Sequence, residues 1–375
     1  MTSPKPAHLA MLAPLAAPRT RVRLAKIIPL LLELQDNLPF FGWEREPGEM
    51  KNFAWGPGVQ ERAILRGGGH AKARSRLMYP LWMATVFLQV LRLGSNHTLY
   101  CLGWETAFPA KIATWFTGSR IIFDDADRFS RILSLPPPLN WALVQLERWT
   151  SANVAAHIVP SFARYEWTNR AMVELPNTPS SEDLAHALRI KIPRPPGDLV
   201  LYVNGWLVDT RGISFIRDAL EKLEGKPHNF ALHLAGSVNT AEAKALAKCS
   251  GVIVHGRVTQ QVALALYHAS DVALTFYDPR IAINREAEPN KWGDCALLEV
   301  PFIVNSEVIT AKDFVSRGAA WAVEYGDVDA LVSLLCGLAT EPERLSGAQE
   351  NMKPFKDRYL TFDERFRQII DDKIR

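Results

Sequence analysis

Short apolar segments alternate with helical segments along this chain. Apolar runs at residues 8–14, 98–102 and 120–123 have the length and composition of buried strands. Between them, residues 19–34 and 106–116 show the spacing of apolar side chains that is typical of helices. Such alternation is typical of a parallel sheet whose strands are joined by crossover helices. It predicts an α/β fold with doubly wound sheets.

A proline-rich stretch interrupts this alternation near the middle of the chain. Residues 191–197 read Lys-Ile-Pro-Arg-Pro-Pro-Gly, which is unsuited to the interior of a helix or strand. A second alternating series runs from the apolar segment at 199–203 to the one at 301–304, and helices follow it. A chain of 375 residues is long enough for two domains. We therefore expect Rossmann-like domains at residues 1–190 and 198–360, joined by a linker at 191–197.

Composition and charge exclude several classes of protein. With 48% hydrophobic and 22% charged residues, the chain is neither disordered nor fibrous. Residues 1–197 carry 23 basic and 15 acidic side chains, whereas residues 198–375 carry 20 and 25, so the two halves have opposite net charge.

The four cysteines match no metal-ligand spacing, which favours a reducing cytoplasm. Because Pro14 interrupts the first apolar run, a strand is favoured there over a signal peptide.

The most apolar stretch of the chain is residues 77–91. It is shorter than the ~20 residues that a membrane-spanning helix needs. Lys72, Arg74 and Arg76 precede it, and Arg92 follows it. Two interpretations remain open. The segment either lies at the headgroup boundary of an anionic membrane, on the inner face, or forms an ordinary buried helix with a basic approach loop.

The strongest local signal for chemistry lies at residues 286–294. A loop rich in Pro and Asn leads there into a helix, whose N-terminal amides and positive dipole end can receive phosphate. Lys291 adds a mobile cation. Glu286 and Asp294 would repel phosphate, so their expected task is to accept hydrogen bonds from hydroxyl groups of a ribose or a sugar. The alternative is an ordinary helix start with acidic residues nearby.

This segment resembles the corresponding loop and helix of the family-4-type glycosyltransferases, which have the GT-B fold. The chain carries the family's Pro-Asn-Lys triplet at 289–291, an acidic residue at 294, and an apolar strand after Pro301. It departs from the family pattern at 298–300, where a glycine usually precedes the proline.

A second resemblance to the same family covers residues 200–213. The strand and glycine match, Trp206 stands in place of the usual Arg, and Arg211 stands in place of the usual Lys. Further matches at 253–258 and 159–161 extend the resemblance over most of the chain, from about residue 7 to 370.

The resemblance implies a GT-B enzyme whose two domains face each other across a cleft. Its reaction would move a sugar from a nucleotide-diphosphate sugar to a glycan or polyprenyl-diphosphate-linked acceptor, in polysaccharide or exopolysaccharide biosynthesis. The donor would lie on residues 198–360 and the acceptor on 1–190, with residues 361–375 packing back towards the first domain. No metal, other cofactor or nucleic acid is implied. The implied donor-binding residues are Gly205, Arg211, Glu286, Asn290, Lys291 and Asp294, of which Glu286 and Lys291 are also expected to be catalytic.

An Asp-rich loop follows the strand predicted at 120–123, at the sheet edge where ligands bind. Under the resemblance this loop contacts the acceptor through Asp124 and Asp125, and Asp127 is the catalytic base if the reaction inverts configuration. Two alternatives remain open. An Asp-x-Asp pair can bind a divalent ion, and these carboxylates can instead pair with the neighbouring Arg128 and Arg131 at a surface turn.

Trp104 and Glu105 follow the strand predicted at 98–102, at the same sheet edge. Both are expected to face the cleft. Glu105 either meets the donor sugar or caps the helix that begins there.

Two other functions fit the same features. A sugar-nucleotide epimerase of similar fold binds the same kind of donor. A catalytically degenerate transferase that serves as an assembly partner is the non-enzymatic alternative, suggested by Trp206 and Asp294 in place of family residues.

Overall fold

A computed structural model describes residues 8–70, 77–133, 135–287 and 289–373. The chain divides into two compact units. The first unit consists of residues 1–176 together with 363–375, and the second consists of residues 177–362.

The first unit contains a parallel sheet with the strand order β3-β2-β1-β4-β5-β6-β7. Strand β1 pairs with both β2 and β4, so the order reverses beside β1 as in doubly wound folds. Short 3-10 helices lie at Pro18–Thr20 and Phe162–Arg164. The strands and α-helices are β1 His8–Ala13, α1 Val22–Leu32, β2 Leu38–Glu44, α2 Glu49–Asn52, β3 Val59–Arg66, α3 Tyr79–Leu93, β4 His97–Leu102, α4 Trp104–Thr117, β5 Arg120–Asp124, α5 Phe129–Leu133, α6 Pro137–Ala152, β6 Ala156–Val159 and β7 Met172–Glu174.

Helices α3, α4 and α6 pack through one side against the apolar core of this sheet. Alternate strand residues, among them Leu12, Leu99 and Phe123, contribute to a cluster with buried residues of these helices, such as Trp82 of α3 and Leu143 of α6. Because each of these helices buries one side in this way, its opposite side faces outward.

The second unit contains a parallel sheet with the order β10-β9-β8-β11-β12-β13, which reverses beside β8. Short 3-10 helices lie at Asp209–Arg211, Ala282–Glu286, Ile309–Ala311 and Lys353–Asp357. The other elements are α7 Ser181–Ala187, β8 Leu199–Gly205, α8 Ile213–Leu223, β9 Phe230–Gly236, α9 Ala241–Leu246, β10 Val252–Gly256, α10 Gln260–His268, β11 Val272–Thr275, α11 Asn290–Leu298, β12 Phe302–Asn305, α12 Lys312–Ser316, β13 Ala320–Val323, α13 Val328–Thr340 and α14 Pro342–Met352.

The boundary between the units lies earlier than the linker predicted at 191–197. Residues 177–190, which precede this stretch, belong to the second unit. The Thr178 hydroxyl, for example, donates to the Leu360 carbonyl at 2.8 Å. Gln261 Nε2 also donates to Asp183, and Ala187 is wholly buried in a core cluster of the second unit. The proline-rich stretch is therefore part of the second unit.

The last helix, α15, spans Phe362–Lys373, and nearly all of it belongs to the first unit. Arg365 Nε donates to the Glu174 carbonyl at 2.9 Å, and Arg367 forms an ion pair with Glu33 at 2.9 Å. The Phe366 ring also meets Tyr100 of β4, with ring centroids 6.2 Å apart.

The parallel α/β architecture predicted from the sequence is confirmed, but strands β2 and β3 were not predicted. Pro39 and Gly42 interrupt the apolar run of β2. Gly42 is required by a close approach, because a Cβ atom at this position would lie 2.4 Å from the Leu15 carbonyl oxygen. Strand β3 lies at the sheet edge, and its first half carries the polar residues Gln60, Glu61 and Arg62, so it lacks the continuous apolar run of a buried strand.

The stretch predicted at 77–91 forms α3. No helix within the described ranges is long and apolar enough to cross a membrane. Lys72, Arg74 and Arg76 lie outside the described residues.

Candidate functional site

Two elements of the second unit bring Lys291 to the carboxyl edge of the sheet. Strand β8 ends there at Gly205, and α11 begins nearby at Asn290. A Cβ atom built on Gly205 would lie 3.8 Å from Lys291 Cε, so the lysine side chain extends along the end of β8. Asn290 itself is exposed as the first residue of α11. In a doubly wound sheet this edge is the usual place for a ligand.

The start of α11 is anchored by Trp292, which is wholly buried. Its indole Nε1 donates to Thr275 Oγ1 at 3.3 Å, and its ring stacks on Phe302 with centroids 5.4 Å apart. Because Trp292 contacts both β11 and β12 in this way, the neighbouring Lys291 is held at a defined position.

The electrostatic surroundings of Lys291 favour an anion. Burial, and in second place the nearby Arg211, lower the pKa of Lys291 to about 8 from the usual 10.5. The positive end of the α11 dipole acts in the same direction. The charges of Lys291 and Arg211 and the positive end of the α11 dipole thus lie close together. A phosphate group bound there would relieve their mutual repulsion.

Arg211 lies at the end of the 3-10 helix after β8 and is half-buried. Its Nη1 donates to Asn284 Oδ1 at 3.3 Å, and its guanidinium lies 4.4 Å from the centroid of the Tyr277 ring. These contacts hold the guanidinium near the sheet edge.

The two acidic residues of the predicted site differ in burial. Asp294 is 5% exposed and lies one turn after Lys291, and its charge opposes the lowering of the Lys291 pKa. Glu286 is half-buried at the end of the 3-10 helix Ala282–Glu286, in the segment that leads to α11. The structure therefore places the predicted donor-binding residues on the loops after β8 and β11 and on the first turns of α11.

A pocket of about 580 Å³ lies beyond the ends of β8, β9 and β10. Trp206, which is 83% exposed, lines this pocket. Gly205 also lines the pocket and lies beside the Lys291 side chain. The size of the pocket is typical of a small-molecule site. Most of its polar lining was not predicted, because no sequence motif joins the loops after three separate strands. That lining includes Asn204, Ser237, Asn239, Thr240, Arg257 and Gln260.

In the first unit, Asp124 has a different role from the predicted acceptor contact. It is wholly buried, and Arg23 Nε donates to both of its carboxylate oxygens at 3.0 Å. The Tyr100 hydroxyl also donates to Asp124 Oδ2 at 2.6 Å, and Arg23 Nη1 donates to the Leu175 carbonyl. Asp124 therefore joins α1 to strands β4 and β5 inside the unit and is closed to ligands.

Trp104 also lies in the core rather than at a ligand surface. It is 4% exposed and donates from Nε1 to Thr150 Oγ1 at 3.0 Å. Its ring stacks on Phe108 and Phe129, with centroids 4.8 and 5.5 Å away. These contacts pack α4 against α5 and α6.

The other two carboxylates of the Asp-rich loop have separate environments. Asp125 is buried and accepts a hydrogen bond from the Tyr165 hydroxyl at 2.6 Å. Asp127 is about half exposed and pairs with Arg21 at 2.5 Å. Arg128 and Arg131, the partners in the alternative prediction, both pair with Glu166. Within the described ranges, no three His, Cys, Asp or Glu side chains form a group that could hold a metal ion.

Glu105 is a buried carboxyl group at the first turn of α4. Gly103 before it has a φ of +78°, and a Cβ there would lie 2.7 Å from a Glu105 carboxylate oxygen, so only glycine fits. Burial, with a smaller contribution from Asp125, raises the pKa of Glu105 to about 7.

This pKa predicts a pH-dependent stability. A carboxyl group whose folded-state pKa is raised contributes stability that is complete below its unfolded value of 4.5 and is lost as the pH rises through about 7. We expect Glu105→Gln to reduce the decline of the unfolding free energy between these pH values by up to about 3 kcal/mol. Urea unfolding at several pH values measures this slope. A variant with the slope of the unmodified protein would show that Glu105 is ionised throughout this range.

No protein-family model and no curated protein sequence match the chain. Solved structures do match its fold. A glycosyltransferase from Rickettsia africae ESF-5 aligns with a TM-score of 0.67 at 9% identity, covering 98% of this chain and 97% of that chain. HepE from Anabaena, in complex with UDP, aligns with a TM-score of 0.64 at 11% identity, covering 97% and 99%. A UDP-N-acetylglucosamine 2-epimerase aligns with a TM-score of 0.60 at 13% identity, covering 98% and 95%. The chain thus has the GT-B glycosyltransferase fold, with two Rossmann-like domains.

Proposed function

We propose that this protein is a glycosyltransferase that moves a sugar from a nucleotide-diphosphate sugar to a glycan or polyprenyl-diphosphate-linked acceptor in polysaccharide biosynthesis. One observation carries the proposal. Lys291, at the start of α11, extends along the end of β8 beside a pocket of nucleotide size. The GT-B fold and the UDP bound to HepE support a nucleotide donor.

The donor's pyrophosphate would lie at the N-terminus of α11, between Lys291 and Arg211. As the glycosidic bond breaks, negative charge grows on the leaving nucleoside diphosphate, and cations that are already in place stabilise it. The arriving phosphate also raises the lowered pKa of Lys291 and keeps the ammonium charged. Because the chain itself supplies both cations, we propose transfer without a metal ion.

The rest of the donor would occupy the neighbouring surfaces. The pocket beside Gly205 would hold the nucleoside, with the exposed Trp206 as an apolar wall. Glu286 and Asp294 would accept hydrogen bonds from hydroxyl groups of the sugar or ribose.

The first unit would bind the acceptor. Among the predicted carboxylates of its Asp-rich loop, Asp127 is the one with substantial exposure. It would take the proton of the acceptor hydroxyl if the reaction inverts configuration, after Arg21 has released it.

A panel of UDP-, GDP- and dTDP-sugars in a thermal-shift assay tests donor binding. We expect one nucleotide class to raise Tm by about 5 °C or more at saturation, because a ligand that binds the folded state alone stabilises it. An unchanged Tm with every donor, together with no donor hydrolysis, would overturn the proposal and favour the assembly-partner function.

A second candidate is a sugar-nucleotide epimerase, favoured by the likeness to UDP-N-acetylglucosamine 2-epimerase. Product analysis with the donor that binds separates the two. Sugar transferred to an added acceptor supports the transferase, whereas inversion at C2 of the free nucleotide sugar without any transfer supports the epimerase.

A further inference from the structure

Helices α3, α4 and α6 form one continuous outward surface on the first unit. Phe87 of α3 meets Phe116 of α4 edge to face, with ring centroids 6.3 Å apart. Trp115 of α4 meets Trp149 of α6 in the same way at 6.0 Å. We call the outward side of these three helices the aromatic face.

The fully exposed residues of the aromatic face are almost all apolar. Every residue of the three helices is described, and every exposed one is apolar except Arg92 and Arg148. Trp115, Phe116 and Trp141 are 66%, 72% and 66% exposed. Helix α3 is apolar on both sides, since Leu81, Leu88 and Leu91 are exposed opposite its buried residues. Soluble monomers rarely expose a contiguous apolar surface of this kind, so the aromatic face is expected to bind a partner.

The charges around the aromatic face select the kind of partner. The acidic side chains of these helices, Glu105 and Glu147, are both buried. Arg92 and Arg148 are exposed, and Lys111 is partly exposed. A surface with exposed aromatic rings, exposed arginines and buried carboxylates is complementary to anionic lipid headgroups above an apolar layer. A second copy docked symmetrically on this surface would instead bring like charges together.

We propose that the aromatic face binds the surface of an anionic lipid bilayer. Trp115, Phe116 and Trp141 insert at the boundary between headgroups and acyl chains, while Arg92 and Arg148 pair with lipid phosphates. This binding is peripheral, and it is independent of whether the proposed sugar transfer takes place. If the acceptor is lipid-linked, the same contact keeps the enzyme at the membrane that contains it.

Flotation with vesicles of phosphatidylcholine, with and without phosphatidylglycerol, tests the proposal. We expect the protein to float with the anionic vesicles at low salt and less at high salt, because added salt screens the arginines. The double variant Trp115→Ser/Phe116→Ser should bind these vesicles about tenfold more weakly or worse. Leu188→Ser is the control, since Leu188 is 53% exposed but lies in the second unit, and it should bind as the unmodified protein does.

Charge reversal tests the electrostatic part separately. Arg92→Glu/Arg148→Glu should lower binding to anionic vesicles at low salt by about tenfold, with little effect at high salt. Both double variants lie in the first unit and the proposed donor site lies in the second, so the donor-induced thermal shift should not change. The donor assay thus distinguishes failure of this proposal from failure of the proposed function.

Three results would overturn the proposal. The unmodified protein could remain unbound by anionic vesicles at low salt. Both double variants could float as it does. Sedimentation velocity without lipid could instead show a dimer that Trp115→Ser/Phe116→Ser converts to monomer, in which case the aromatic face is an interface between copies of the chain.

Discussion

Replacing Lys291 with alanine is expected to lower kcat/KM for the donor by about a hundredfold to a thousandfold. The ammonium extends along Gly205 at the start of α11, where under the proposed function the leaving diphosphate would gain charge. Steady-state kinetics with the donor found in the thermal-shift panel measure the loss. Lys248→Ala is the matched control, because Lys248 is exposed in the same unit but follows α9.

The pH dependence of donor binding gives a second measure of the same residue. Since the pKa of Lys291 is about 8, the free protein loses this charge as the pH rises above that value, and the donor Kd should rise. Lys291→Arg should keep its charge throughout, so its Kd should change less between pH 7 and about 9. Equal pH profiles for the two proteins, or near-normal kinetics for Lys291→Ala, would remove Lys291 from the site.

The second large effect concerns stability. Asp124→Ala is expected to lower the unfolding free energy by about 3–5 kcal/mol, because it leaves the Arg23 guanidinium buried without its counter-charge. The Tyr100 hydroxyl loses its acceptor in the same variant. Urea unfolding measures the difference. The double variant Arg23→Met/Asp124→Leu should recover most of it, since replacing both charges with apolar side chains leaves neither unpaired.

The exposed pair in the same loop provides the comparison. Asp127→Ala breaks the contact with Arg21, yet it should change stability by less than about 1 kcal/mol, because water solvates both charges once they separate. Similar losses for Asp124→Ala and Asp127→Ala would show that burial does not set the strength of the Arg23–Asp124 pair.

The periodicity of apolar residues was sufficient to predict the α/β architecture but not to predict every strand. Most apolar runs that were predicted as strands do pair in parallel, since a buried parallel strand needs a continuous apolar segment. Strand β2 was not predicted because Gly42 interrupts its apolar run. This glycine accommodates the Leu15 carbonyl, and such a close approach between two segments cannot be seen in the local sequence pattern.

The sequence by itself determined most strands of the two parallel sheets and the helix start at which Lys291 lies, because strand periodicity, helix starts and turn residues are local properties of the chain. Only the tertiary structure decided which polar side chains reach solvent. Asp124, Asp125 and Asp127 lie within four positions of one another, yet the first is buried with Arg23, the second with Tyr165, and the third is exposed. Likewise, the sequence shows that most residues of α3 are apolar, but it does not show which of them face outward. Burial depends on what the rest of the fold packs against each side chain, and those partners lie far away in sequence.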